Sequence, residues 1–107
     1  MTNHKGHVHA TPLKPNTAGE FTQTLEKGIL PLLRKRTGFA DEITFVAQDG
    51  KEALAISLWD RKESAEPYDR ETYPEVLKGL AKVLEGTPRV ASFDVSNSTF
   101  HKIAARS

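Results

Sequence analysis

Apolar and polar positions alternate most clearly between Glu42 and Trp59, where ITFVA and ALAISLW flank QDGKE. The two runs are rich in strand formers. Asp49-Gly50 between them is a strong hairpin signal, because a type I′ turn needs φ > 0 at both central residues. Taking Asp49 and Gly50 as a two-residue loop sets Phe45 opposite Leu54 and Ile43 opposite Ile56. One face of the ribbon then carries Ile43, Phe45, Leu54, Ile56 and Leu58. The other carries Thr44, Val46, Ala53, Ala55, Ser57 and Trp59. The bulkier face is expected beneath helices, and the smaller-sided face against a second subunit.

Upstream, Gly6 to Leu13 alternates weakly and ends near Pro15, as a first strand after a loose tail of about residues 1–5. Thr17-Ala18-Gly19-Glu20 has the form of a capping box. Phe21, Leu25, Ile29, Leu32 and Leu33 then recur at helical spacing. Arg34, Lys35 and Arg36 suit the negative end of the helix dipole, and Gly38 is a natural stop. Pro31 falls inside this helix and is expected to kink it or tighten its last turn.

Downstream of the hairpin, Asp60 to Glu63 reads as a second capping box, opening a short helix interrupted by Pro67. Thr72-Tyr73-Pro74-Glu75 reads as a third, with proline in the first turn. Tyr73, Val76, Leu77, Leu80, Ala81 and Leu84 continue as an apolar stripe up to Gly86 and Pro88. Arg89 to Ser96 alternates again, with Ala91, Phe93 and Val95 on one side. The order is β-α-β-β-α-β, an α+β ferredoxin-like fold with an antiparallel sheet and helices on one face. Residues 97–107, with Phe100 and Ile103, form a tail suited to packing on a partner.

Composition narrows the function classes. A chain of 107 residues is expected to form a single domain. A net charge of +1 argues against a broad basic surface for nucleic acid. No apolar run reaches the ~20 residues of a membrane span, and MTNHKGHVHA has no signal-peptide core, so the expected location is cytoplasmic. Cysteine is absent, which removes thiol chemistry and thiolate metal sites.

With the element order in place, the chain resembles the antibiotic biosynthesis monooxygenase-like family of dimeric α/β barrels. The matching features are ILPLLRKRTGF (Ile29 to Phe39), the hairpin closing on Trp59-Asp60, the acidic, aromatic second helical region and the strand after Thr87-Pro88-Arg89. The resemblance implies a homodimer with sheets face to face. It also implies a pocket for a small aromatic or quinol-like molecule and, in many members, oxygen chemistry without a cofactor. Haem-degrading members use a helix histidine as iron ligand. His4, His7, His9 and His101 all lie outside the region from Arg61 to Glu85, which disfavours that activity.

The candidate site residues follow. Trp59 matches the family's strand-terminal Trp and either stacks on a flat ligand or anchors the core or dimer. Tyr68 is placed to hydrogen-bond a substrate oxygen. Tyr73 is a ligand contact, or core by its spacing with Val76 and Leu80. His7 and His9 share one strand face, where His9 suits a general base. Two imidazoles without an evident third ligand do not make a metal site, although Asp94 on the last strand is a conceivable third, so no metal or cofactor is expected. Of the acidic run Glu63, Glu66, Asp69, Glu71 and Glu75, the first and last are caps and the others are expected in solvent. Two functions are consistent with these features: a cofactor-independent monooxygenase, and a non-catalytic small-molecule-binding or stress-related dimeric barrel. Convergence of titratable groups in the pocket separates them.

Overall fold

In the computed structural model, which describes residues 4–99, four strands form one antiparallel sheet in the order β2-β3-β1-β4. They are β1 (Lys5–Pro12), β2 (Phe39–Val46), β3 (Glu52–Trp59) and β4 (Arg89–Asp94). Helix α1 (residues 18–34) lies between β1 and β2, and helix α2 (residues 62–80) between β3 and β4. This is the expected βαββαβ arrangement. The first strand begins one residue earlier than its alternation suggested.

The hairpin register is the expected one, with Ile43 opposite Ile56 and Phe45 opposite Leu54. The turn is not type I′. Gly50 N–H donates to the Ala47 carbonyl at 2.8 Å, and within the loop only Gly50 has positive φ, at 73°. Asp49 does not take positive φ, and its carboxylate Oδ1 accepts from Lys51 N–H at 2.9 Å. The loop is therefore longer by one residue on each side, built around a single glycine.

The two faces of the sheet are used in the opposite sense to the expectation. Ala53, Ser57 and Trp59 are buried under the helices, and Ala55 lines a cavity there. Ile43, Phe45 and Leu54 face away, with Phe45 54% exposed. The reason lies in the helices. Phe21, Leu25, Ile29 and Leu33 from α1, with Val76 and Leu80 from α2, supply the bulk of the core. Opposite these large side chains the hairpin face offers the small Ala53, Ala55 and Ser57, which lets the layers approach to packing density. Beyond Asp94 the chain turns toward the open face. Val95 and Asn97 to Thr99 share a groove there with Ile43, Phe45, Ile56 and Leu58. The rest of the expected tail, with Phe100 and Ile103, lies outside the described residues.

Each helix contains a π-helical turn followed by a proline. In α1 the segments are Ala18–Thr24, the π turn Leu25–Ile29 and Leu30–Arg34. In α2 they are Lys62–Pro67, the π turn Tyr68–Thr72 and Tyr73–Leu80. Leu30 N–H donates to the Leu25 carbonyl, and Tyr73 N–H to the Tyr68 carbonyl. Pro31 and Pro74 come next and have no N–H to give. Their rings would also crowd the carbonyls four residues back in a regular helix, and the wider turn relieves that clash. So Pro31 follows a loosened turn rather than tightening one. Neither Pro67 nor Thr72 breaks α2.

None of the three expected capping boxes forms. The Thr17 hydroxyl donates to the Lys14 carbonyl at 2.7 Å, and Glu20 pairs with Lys82 at 2.9 Å. Arg61 holds the N-cap position of α2, while Asp60 accepts from the Ser64 hydroxyl. Thr72 lies within α2. Gly38 does end the α1 connection, with φ 85°. A Cβ there would sit 2.2 Å from Ser64 Oγ, so the site excludes any side chain.

Candidate functional site

Between the small-sided sheet face and the helices lies a cavity. Its floor is His9 and Thr11 of β1, Ala55 and Ser57 of β3, and Glu42 of β2. Its roof is apolar on the α1 side, with Phe21, Leu25, Ile29 and Leu33, and mixed on the α2 side, where Tyr68 and Tyr73 precede Val76 and Leu80. The clear space is about 40 Å³. That is room for a few waters, since one water needs about 10–15 Å³. A ring-sized ligand therefore requires side chains or the roof to shift. Both π turns contribute to this roof: Leu25 and Ile29 from one, Tyr68 from the other.

Polar atoms converge on one side. The His9 and Tyr73 rings lie 4.6 Å apart, centroid to centroid. His9 Nε2 and the Tyr73 hydroxyl are both buried with no hydrogen-bond partner in the described protein. Unpaired buried polar atoms are costly, and two of them in one cavity mark a place for waters or for a ligand's oxygen. Burial is the main influence on His9 and pushes its pKa below the usual imidazole value, with the Asp69 carboxylate opposing. His9 is thus a neutral imidazole at neutral pH. Tyr68 and Tyr73 are both pushed up, first by burial and then by the Asp69 charge, so they remain phenols that can donate.

The four residues expected to form the site are only partly brought together. His9, Tyr68 and Tyr73 line the cavity, and Trp59 does not. Trp59 is fully buried and sits behind the wall, its ring centroid 5.6 Å from both Phe39 and Tyr68. Its indole N–H donates to Ser57 Oγ at 2.9 Å. Trp59 does share a face with the helices, through the reversed use of the sheet. A bulge lies in β2, between Phe39 and Asp41.

His7 is also buried, so both histidines of β1 are core groups. Asp94 is salt-bridged to Lys5. Among the described residues no three potential ligands come together to hold a metal.

Glu42 was not singled out by the sequence, although its alternation with Thr44 and Val46 places it on the cavity face. Burial raises its pKa, and the Thr44 hydroxyl, which donates to its carboxylate, acts the other way. Ionising a carboxyl that burial has raised costs the folded state stability, and that cost grows as pH rises above the unfolded value. Glu42→Gln keeps an acceptor for Thr44 and removes the charge. It is expected to raise the melting temperature at pH 7–8, with the gain vanishing toward pH 4. Thermal melts across that range check this.

No protein-family model matches the chain, and no curated protein matches its sequence. Its fold is nonetheless shared with solved structures. A monooxygenase of Streptomyces coelicolor, solved with nanaomycin D, matches with a TM-score of 0.76 at 15% identity, covering 92% of each chain. A protein of unknown function from Nitrosomonas europaea matches with a TM-score of 0.74 at 14% identity, over 94% of this chain and 95% of that one. A candidate antibiotic biosynthesis monooxygenase from Bordetella bronchiseptica gives 0.73 at 11% identity, over 85% and 95%. At such identities the likeness is one of fold, and it agrees with the resemblance carried by the sequence: this chain has the ferredoxin-like fold of the antibiotic biosynthesis monooxygenases.

Proposed function

We propose that the protein is a cofactor-independent monooxygenase acting on a small phenolic or quinol-like substrate. The supporting observation is the convergence of His9, Tyr68, Tyr73 and Glu42 on one otherwise apolar cavity. In this reading the substrate's apolar ring lies against Leu25, Ile29 and Val76. Its oxygen meets the unpaired His9 Nε2 and Tyr73 hydroxyl. Neutral His9 takes a proton from the substrate, and the enclosed site lowers the competition from water. The resulting carbanion transfers an electron to dioxygen, and the radical and superoxide recombine as a peroxide anion, which takes the proton back from His9 to become a hydroperoxide. Loss of water from that hydroperoxide leaves a carbonyl, so one oxygen atom enters the product and the other leaves as water. Tyr68 donates to the developing oxyanion. Trp59 serves by holding Ser57 and Tyr68 in the wall rather than by stacking on the ligand. A homodimer belongs to the same proposal, with the second copy covering the open sheet face.

The mostly apolar roof supports a second reading, a non-catalytic binding protein for the same class of molecule. Oxygen uptake with dihydroxynaphthalene and anthrone probes decides between them. Turnover in the native protein, reduced by roughly 10²–10⁴-fold in His9→Gln, is expected from the loss of a general base. Because His9 is active when neutral, the rate should fall as pH drops below the usual histidine value and level off above it. Probe binding without oxygen uptake would leave only the binding reading.

A further inference from the structure

The π turn of α2 places Asp69 against β1, one strand position from the base of the proposed site. Asp69 Oδ2 lies 3.2 Å from His7 Nδ1, an ion-pair distance that falls off the ring's hydrogen-bonding direction. On its other side His7 Nε2 lies 3.5 Å from Ser92 Oγ of β4. His7 and His9 are two apart on one strand face, hence roughly 7 Å apart along it. Both are more than nine-tenths buried. Asp69 is only partly exposed, and its Oδ1 is buried without a hydrogen-bond partner among the described residues. A carboxylate in that position is not one of a solvated acidic run, as its sequence neighbours suggested. Glu71, two residues on, does reach solvent and pairs with Arg36 at 3.2 Å.

We propose that Asp69, docked against His7 on the strand that carries His9, is a positioning residue for His9, placing a carboxylate one strand position from the buried imidazole that takes the substrate proton. The proposal rests on the oxygenase reading for its purpose and on the geometry of β1 and α2 for its substance.

The surroundings of His9 leave few other sources for that charge. Its neighbours are His7 on β1 and, on α2, Tyr73 at ring-contact distance, Tyr68 across the same cavity and Asp69 against His7. The β2 strand offers Glu42 across the cavity floor. Helix α1 presents only Phe21, Leu25, Ile29 and Leu33, and β4 pairs Val90 with His9 and Ser92 with His7. The tyrosines are uncharged, and it is the charge of Asp69, not that of Glu42, that raises the His9 pKa. Asp69 is therefore the anion to which His9 responds, and its influence runs against that of burial and of His7.

The test needs no substrate. The His9 ring is followed by NMR titration in the full-length protein, in Asp69→Asn and in Asp69→Glu. In Asp69→Asn the His9 titration should move to lower pH, and Asp69→Glu should restore it in part. An unchanged His9 titration in a folded Asp69→Asn protein overturns the proposal. If Asp69→Asn does not fold, Asp69→Ser is titrated instead, and a His9 titration that stays at its native pH there overturns the proposal. Oxygen uptake is measured separately. A shifted titration with no uptake in any form would uphold the Asp69–His9 coupling while removing the oxygenase reading.

Discussion

Trp59→Ala is expected to lower the melting temperature by more than about 10 °C. Truncating a large core aromatic costs roughly 3–5 kcal/mol, part from lost transfer energy and part from the cavity left behind. In a domain of this size each kcal/mol moves the midpoint by about 4–8 °C. The environment of Trp59 supports the upper part of that range. Its side chain has no exposure, touches Phe39 and Tyr68 edge-on or tilted, and satisfies its N–H on Ser57. Removing it also leaves Ser57 without that donor on the cavity floor. Affinity for aromatic probes, measured on the same variant below its melting point, should fall only as far as Tyr68 and Ser57 shift. A variant that melts like the native protein but no longer binds would instead mean that the indole reaches the ligand directly.

Phe45→Glu is expected to separate two subunits while leaving each one folded. Phe45 is 54% exposed and Phe93 57%, on a sheet face that also carries Ile43 and Leu54. A patch of that character on a lone chain is a liability for association. If a second copy covers it, a carboxylate at position 45 would lie in an apolar interface without a partner. Such a charge costs several kcal/mol, enough to weaken association by a factor of 10² or more. Within one subunit the same residue faces outward, so the melting temperature of the separated chain should change little. Sedimentation equilibrium of the native protein and the variant checks this. A native protein that sediments as a monomer at micromolar concentration would remove the dimer altogether. Ala55→Glu has a different meaning from the one its strand alternation suggested. Ala55 lies under the helices, so a charge there attacks the fold of a single subunit.

Element order, hairpin register and the stop at Gly38 were all legible because they depend on neighbouring residues. Ile43 pairs with Ile56 through a loop short enough to set the count. Which face of the hairpin goes inward was not legible. Both faces are apolar, and the choice depends on Phe21, Leu25 and Leu33, which only the folded chain brings opposite. The stripe from Tyr73 to Leu80 suggested a new helix because a π turn shifts the helical phase. Local spacing cannot tell that shift from a break. His9 was legible from its alternation with His7. The Asp69 partner was hidden in an acidic run, since nothing near it in sequence marks it as facing β1.

The π turn at Tyr68–Thr72 also determines which changes in chain length this region can absorb. A π turn is in effect one residue inserted into an α-helix. Deleting a residue there would restore regular winding and rotate whatever lies on one side of it by about 100° relative to the other. Tyr68 and Asp69 would then no longer face the sheet alongside Tyr73. The segment should accept many single replacements on its outer side, at Arg70 or Glu71, yet reject any shortening by one. When chains of this fold are aligned, the gap that separates those able to build this site from those that cannot belongs between Pro67 and Pro74.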